Sequence, residues 1–229
     1  MPKDHLKTHN APTTWTMNRK ERVFVAKPKP GAHKLDLSMS INMVMKNLLG
    51  KSKTRKETKK ILHQGDVLVN GVKRWNHKYS VGLLDVISFP KENRHYVMLI
   101  NKKNKLYTQE LDKKEAGQKL SKVTDKRMVK GGKIQLKTLD GRSVAAKKGK
   151  YKTGETVVLS IPDQEIKDSL ALEKGATILL FRGRHVGKIA TVQEIEQDSI
   201  KLEHEKEEFE TKKEYAIVIG KDKPIINIK

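Results

Sequence analysis

The stretch Thr54–Gly71, TRKETKKILHQGDVLVNG, leaves little freedom in what it can build. Its first half has helical spacing, its second half has strand spacing, and the switch falls on a glycine. Arg55, Lys56, Lys59 and Lys60 lie at offsets that share one side of a helix, while Ile61 and Leu62 face elsewhere and can enter a core. Gly65 can end the helix, because only glycine takes up the left-handed cap conformation without steric cost. Val67 and Val69 then alternate as a strand, and Asn70-Gly71 is the strongest short hairpin signal. The expected product is a compact surface with several cations and no acid–base pair. Such a surface grips phosphates and lacks the equipment for catalysis.

The rest of the chain extends the cationic theme. Among 229 residues, 49 are lysine or arginine and 27 are acidic, for a net charge of +22. A polyanion is the natural partner of such a chain, and nucleic acid is the commonest one. The charge is uneven: residues 1–80 carry 18 basic and 5 acidic side chains, residues 102–152 carry 17 and 5, and residues 153–229 carry 12 and 15. The cationic surface therefore belongs to the first two thirds. The absence of cysteine excludes disulfides and thiolate zinc sites and suits a reducing cytoplasm. Met1–Asn10 has no apolar run of the kind a signal peptide needs, and no stretch approaches the roughly 18–20 apolar residues that cross a bilayer. With only 5% aromatics the core is expected to be aliphatic and thin, as in a protein completed by its partner.

Four segments are expected. Residues 1–36 form a basic, proline-containing arm without periodicity, and Trp15 and Phe24 favour an arm that becomes ordered on RNA over a floppy tail. Residues 37–90 form a module of two helices and a small sheet. Ser38–Leu49 is predicted helical, with Ile41, Val44, Met45 and Leu48 as its buried stripe; the basic helix, the Val67–Val72 hairpin and a strand Asp85–Phe89 follow, and Pro90 closes the module. Residues 91–171 read mainly as β, with strands Tyr96–Ile100, Leu106–Leu111, Lys133–Leu139, Arg142–Ala146 and Thr156–Ser160. A capping-box pattern at Asp112 and Glu115 predicts a short helix over Lys113–Leu120, and Asp140-Gly141 predicts a hairpin turn. Lys147, Lys148, Lys150 and Lys152 make a one-signed cationic loop suited to RNA backbone. Residues 172–229 carry five short strands, which suggest a small barrel. Between the first two lies FRGRHVGK (Phe181–Lys188), where Gly183 and Gly187 permit a tight loop bearing Arg182, Arg184, His185 and Lys188. Residues 194–210 hold 8 acids and 2 bases, so this stretch is expected to face solvent or a basic protein rather than RNA.

Three features resemble known families. Thr54-Arg55, Ile61-Leu62, Gly65 and Val67-Leu68-Val69-Asn70-Gly71 match the pattern of the S-four-like RNA-binding module; the departure is downstream, where Gly82-Leu83-Leu84-Asp85-Val86-Ile87 replaces the family's common Gly-Asp-x-Ile. Gly175–Val192 looks like a KOW motif, with Gly187 as its essential glycine. Across nearly the whole chain, HLKTHNAPTTW (His5–Trp15), KPKPGAHKL (Lys27–Leu35) and YAIVIGKDKP (Tyr215–Pro224) resemble the archaeal and eukaryotic small-subunit ribosomal protein family S-four-e. The resemblance implies an α+β chain: an S-four-like RNA-binding module, a mainly β central domain and a small SH3-like KOW barrel. It implies a structural protein that binds and organises small-subunit rRNA in translation, cytoplasmic and ribosome-bound. Neighbouring ribosomal proteins are the other implied partners, with no membrane, no small-molecule substrate, no cofactor or metal and no catalysis. A chain that ends soon after the barrel, without the basic tail of the longer eukaryotic members, favours an archaeal-type version.

The expected RNA-binding residues are Lys3, His5, Lys7, Trp15, Arg19 and Lys20 on the arm, and Arg55, Lys56, Lys59 and Lys60 on the basic helix. Lys73 and Arg74 follow past the hairpin, Lys147 and Lys148 in the central loop, and Arg182, Arg184, His185 and Lys188 in the KOW loop. Trp15 either stacks on a base or packs on the protein. Two alternatives compete with this reading. S-four-like modules also occur on RNA-modifying enzymes, and Gly82-Leu83-Leu84-Asp85 partly echoes the catalytic run of pseudouridine synthases, but without the arginine; Asp85 reads more simply as the turn residue opening a strand. KOW barrels also occur in transcription and regulatory RNA-binding factors, which typically pair the barrel with an acidic or neutral domain, unlike this chain. His5 and His9 stand four apart but have no third ligand, which argues against a metal.

Overall fold

In a computed structural model of the protein, residues 5–129, 132–146, 151–205, 207–221 and 224–226 are described. The chain is mostly β, with three five-stranded sheets and two two-stranded ladders among these residues. It divides into two compact units, Met1–Leu99 with Lys105–Ala116, and Ile100–Asn104 with Gly117–Lys229.

In the first unit the sheet runs in the order Val72–Lys73, Leu68–Val69, Val86–Phe89, Arg94–Ile100, Leu106–Leu111. The basic helix spans Arg55–His63. Thr54 caps it by accepting a hydrogen bond from the Glu57 amide at 3.3 Å, and the Glu57 carboxylate reaches back to the Lys53 amide at 2.7 Å, which stops the first turn from fraying. Thr58 and Leu62 are its buried residues. Gly65 ends it at φ 74°, and Asn70 and Gly71 turn the hairpin at φ 50° and 75°, the left-handed pair that a tight two-residue turn requires.

Asp85 fixes this arrangement. Its buried carboxylate accepts hydrogen bonds from the Asn70 side-chain amide at 2.8 Å and the Gly82 amide at 2.9 Å, and pairs with His33 Nε2 at 2.8 Å. The Asn70 side-chain oxygen in turn accepts from the Val86 amide at 2.9 Å. The Val-Asn-Gly turn is therefore tied to the strand behind it through side chains as well as through the ladder. His33 lies so close over Gly82 that a Cβ there would stand 2.3 Å from the ring.

One sequence expectation changes here, and one open choice is resolved. Ser38–Ser40 is not the start of a helix but a strand paired antiparallel with Ser80–Gly82. The ladder satisfies its backbone and lets Leu37, Met39 and Ile41 enter the core, so the helical segment begins only at Ile41 and widens at Val44–Leu48. The described part of the arm is packed on the protein, so of the two fates open to Trp15 it takes the second. Leu6–Lys7 pairs with Phe24–Val25, and Trp15 is fully buried, with its Nε1 donating to the Leu35 carbonyl at 3.3 Å. Thr14 and Leu106 add a backbone bond of 2.8 Å, and Thr16 donates to the Leu106 carbonyl at 2.6 Å. Burying a tryptophan whose N–H is satisfied is among the largest single gains available to a segment with few apolar residues.

In the second unit, Gln118–Val129 is a twelve-residue strand at the centre of the sheet Ser143–Ala146, Lys133–Thr138, Gln118–Val129, Thr156–Ser160, Ile166–Leu170. The helix expected over Lys113–Leu120 shrinks to one turn at Glu115–Gly117. Ladder pairing and the burial of Leu120 and Val123 outweigh a local capping signal worth about 1 kcal/mol. The core here is Val123, Leu136, Val144, Ala146, Val157 and Leu159. The remaining sheet runs Glu207–Lys212, Ser199–His204, Ile189–Ile195, Thr177–Leu180, Ala216–Gly220. Its last strand returns to pair with its first, a connection that curls the sheet toward a barrel.

Some cations of this unit are internal. Lys119 is buried against Asp140, which also pairs with Arg142 at 3.2 Å and accepts from Ser121 Oγ at 3.0 Å, so Asp140 is an ionic node as well as a turn residue. Lys122 Nζ donates to the carbonyls of Lys213, Glu214 and Ala216 at 2.9, 2.9 and 2.7 Å. Burial pushes its pKa down to about 8, against the pull of Glu214, so at neutral pH it remains an ammonium with one proton for each carbonyl.

Replacing Asp85 by alanine is expected to lower the stability of the chain by about 3 kcal/mol, because the Asn70 amide and the Gly82 N–H lose a charged acceptor inside the protein. Urea unfolding monitored by circular dichroism measures this.

Candidate nucleic-acid interface

The basic helix presents Arg55, Lys56, Lys59 and Lys60 to solvent, and Lys73 lies exposed past the hairpin. The one acid on the helix, Glu57, is spent at its start: backbone hydrogen bonds from Lys53 and Thr54 hold its carboxyl below the usual carboxylate range, with Lys53 contributing most. The helix face is therefore cationic without a carboxylate directed across it. Arg74 is half-buried and stacks on Tyr79 at 4.5 Å, so it acts partly as a brace.

The loop Arg74–Tyr79 enlarges this face. Burial and then the charges of Lys59, Arg55, Lys78 and Lys29 hold the His77 pKa below its ordinary value, an electrostatic record of four cations gathered around one ring. His77 Nε2 is buried without a hydrogen-bond partner among the described residues. Trp75 stands beside it, 59% exposed. Sequence reasoning missed Trp75, although the signal was available: a tryptophan inside the basic run Lys73–Lys78 is a stacking platform between cations.

The arm residues separate. His5, Lys7 and Lys20 are exposed, and His5 meets Phe24 edge-on at 5.7 Å. Trp15, buried as described, has no face to offer a base. Arg19 is likewise turned inward: its guanidinium donates to the carbonyls of Thr8, His9, Ala11 and Pro12 at 3.1, 3.3, 3.0 and 2.7 Å. It organises the turn of the arm, since five fixed donors suit a ring of carbonyls as well as a phosphate. Lys3, Lys147 and Lys148 lie outside the described residues.

The loop Phe181–Lys188 also divides. Arg184 is exposed and Arg182 half-exposed. His185 stacks on Phe209 at 4.1 Å, and Lys188 Nζ lies 5.4 Å from the same ring and 3.8 Å from Glu207. Both are engaged with the acidic hairpin Ser199–Lys212, a long-range pairing that nothing in the local sequence announced. Burial, then Lys188 and Arg184, hold the His185 pKa down, with Glu207 opposing. The loop needs its glycines. Gly187, at φ 76°, has no room for a Cβ, which would stand 2.3 Å from the Asn101 carbonyl carbon; at Gly183 it would stand 3.1 Å from the Tyr215 ring. Among the described residues no group of three or more His, Asp or Glu side chains has the geometry to hold a metal.

Comparison with known proteins gives a consistent result. The family model described as Ribosomal family S4e matches residues 92–166, and the RS4NT (NUC023) domain model matches residues 1–36. The small ribosomal subunit protein eS4 of Methanosphaera stadtmanae is 38% identical over 98% of this chain and 95% of its own length. That of Methanococcus vannielii is 35% identical over 99% and 98%. The crystal structure of the 30S ribosomal protein S4e from Thermoplasma acidophilum superposes with a TM-score of 0.70 at 28% identity, covering 80% of this chain and 95% of that one.

Burial is the main cause that holds the His77 pKa down, and a polyanion laid on the Arg55–Lys59–Lys78 face would neutralise the charges that add to it. The His77 pKa is therefore expected to rise toward 6.5 on complex formation, so that protons are taken up on binding. Affinity should strengthen as pH falls through this window and weaken as it rises past the value in the complex. Titrating the His77 imidazole signals by NMR, with and without an RNA oligonucleotide, checks the direction.

Proposed function

Since this chain belongs to the S4e family of small ribosomal subunit proteins, we propose that it acts as a structural, non-catalytic component that holds small-subunit rRNA beside neighbouring ribosomal proteins in the cytoplasm. The observation that carries this reading is the basic helix, whose four exposed cations have their one acid turned back to the cap. Arg55, Lys56, Lys59 and Lys60, with Lys73, serve as phosphate contacts at one RNA site, and His5, Lys7 and Lys20 extend that site along the arm. Arg182 and Arg184 serve a second site, on a loop read as the KOW loop. Trp15 and Arg19 support the reading indirectly, by giving the arm one shape. Asp85 belongs to the scaffold: its carboxylate is already held by Asn70, Gly82 and His33.

The division of labour follows the four segments: residues 1–36 as arm, 37–90 as S-four-like module, 91–171 as central β-rich domain and 172–229 as KOW barrel. Backbone and shape contacts dominate such binding, because A-form RNA hides its base edges in a deep, narrow groove. Two modest sites on one chain raise overall affinity through effective concentration.

Affinity for an rRNA transcript is expected to fall steeply with salt, with a log–log slope of about −0.7 to −0.9 per phosphate contacted. Filter binding across a salt series measures it, and a flat response contradicts the reading. Charge reversal at Arg55 and Lys59 together is expected to reduce that slope by roughly two contacts' worth and to deplete the protein from small subunits in sedimentation, while its circular dichroism spectrum stays that of the wild type.

A further inference from the structure

Beside Arg55, the arm and the helical segment of the first unit line a half-open cavity of about 490 Å³. That size falls in the range of small-ligand sites. Phe24, in the wall of the cavity, is 54% exposed. It is held in place by the pairing of Phe24 with Lys7, and His5 meets it edge-on. Asn42 also lines the cavity and is only 8% exposed. Its side-chain oxygen finds no hydrogen-bond partner among the described residues. A buried acceptor left unpaired is costly, and that cost is recovered when a ligand supplies an N–H. Lys27, Arg55 and Lys78 also line the cavity. Its one acid, Glu21, is paired with Arg22 and Lys46 at 3.2 and 3.3 Å, so the lining stays cationic.

We propose that this cavity receives a single unpaired RNA base. The base stacks on Phe24, one of its N–H groups donates to the Asn42 side-chain oxygen, and its phosphates lie toward Lys27, Arg55 and Lys78. Each of the four bases offers an N–H on its pairing edge, so the site selects an unstacked base over a paired one rather than one base over another. The lining favours RNA over a peptide, because an exposed ring among cations suits a partner that is both flat and anionic. The proposal rests on the rRNA-binding reading above and adds to it a contact that salt does not screen.

The test uses the full chain and a transcript of the small-subunit rRNA of its source. Phe24→Ala is expected to weaken binding about 5- to 150-fold, the range for loss of one base–aromatic stack, with the salt slope unchanged; Phe24→Trp restores it. Phe24→Leu keeps an apolar residue on the strand while removing the ring face, and is expected to behave like Phe24→Ala if the alanine variant melts early. Ultraviolet crosslinking of the wild-type complex should join a nucleotide to Phe24 or His5. Wild-type affinity in a folded Phe24→Leu protein overturns the base pocket and leaves the rRNA reading standing. So does a crosslink on purified subunits that joins this cavity to a neighbouring protein instead of RNA. A wild-type chain that does not bind the transcript overturns both.

Discussion

The carboxylate of Asp85 meets the Asn70 amide, the Gly82 N–H and the His33 ring in a space closed to water, and Asn70 passes the connection on to the Val86 N–H. A buried carboxylate is tolerated only when its acceptor sites are filled, and once filled it holds its donors in one geometry. This one joins the Val-Asn-Gly turn, the Ser80–Gly82 strand and the C-terminal end of the arm. The basic helix, packed through Thr58 and Leu62, leads straight into that turn. Helix geometry fixes the spacing of its cations, and the capping box at Thr54 and Glu57 holds the first turn.

Electrostatics on the surface and in the interior follow different rules in this chain. Exposed lysines on the helix cost little to hold apart and are available to a polyanion. Lys119 and Lys122 sit inside, each only because acceptors surround it: an aspartate in the first case, three carbonyls in the second. Arg19 spends its fork on four carbonyls of the arm. Formal charge therefore overstates the phosphate-binding surface, and counting basic residues could not separate a grip from a brace.

Much of the architecture was legible in the chain itself. The basic helix, its glycine stop and the Asn-Gly turn come from local rules, since caps and left-handed turns are decided by two to four neighbouring residues. The strands Leu106–Leu111 and Thr156–Ser160 stand at the bounds expected from the sequence, and membership of the S4e family was visible in motifs spread over nearly the whole length. Expectations that failed did so where a partner far along the chain intervened. Ser38–Ser40 is extended because Ser80–Gly82 lies beside it, and Gln118–Leu120 is extended because Thr156–Ser160 does. In both places a ladder outweighed a local helix signal.

In the candidate site, local rules alone put the cationic set Arg55, Lys56, Lys59 and Lys60 on one helix face. Folding selected which other candidates reach the surface. It buried Trp15, turned Arg19 onto the arm, joined His185 and Lys188 to the acidic hairpin, and left Trp75 and Phe24 exposed. The physical reason is range. Helix faces and turns are set within a few residues, whereas burial and ion pairing depend on segments that meet only after the chain has folded.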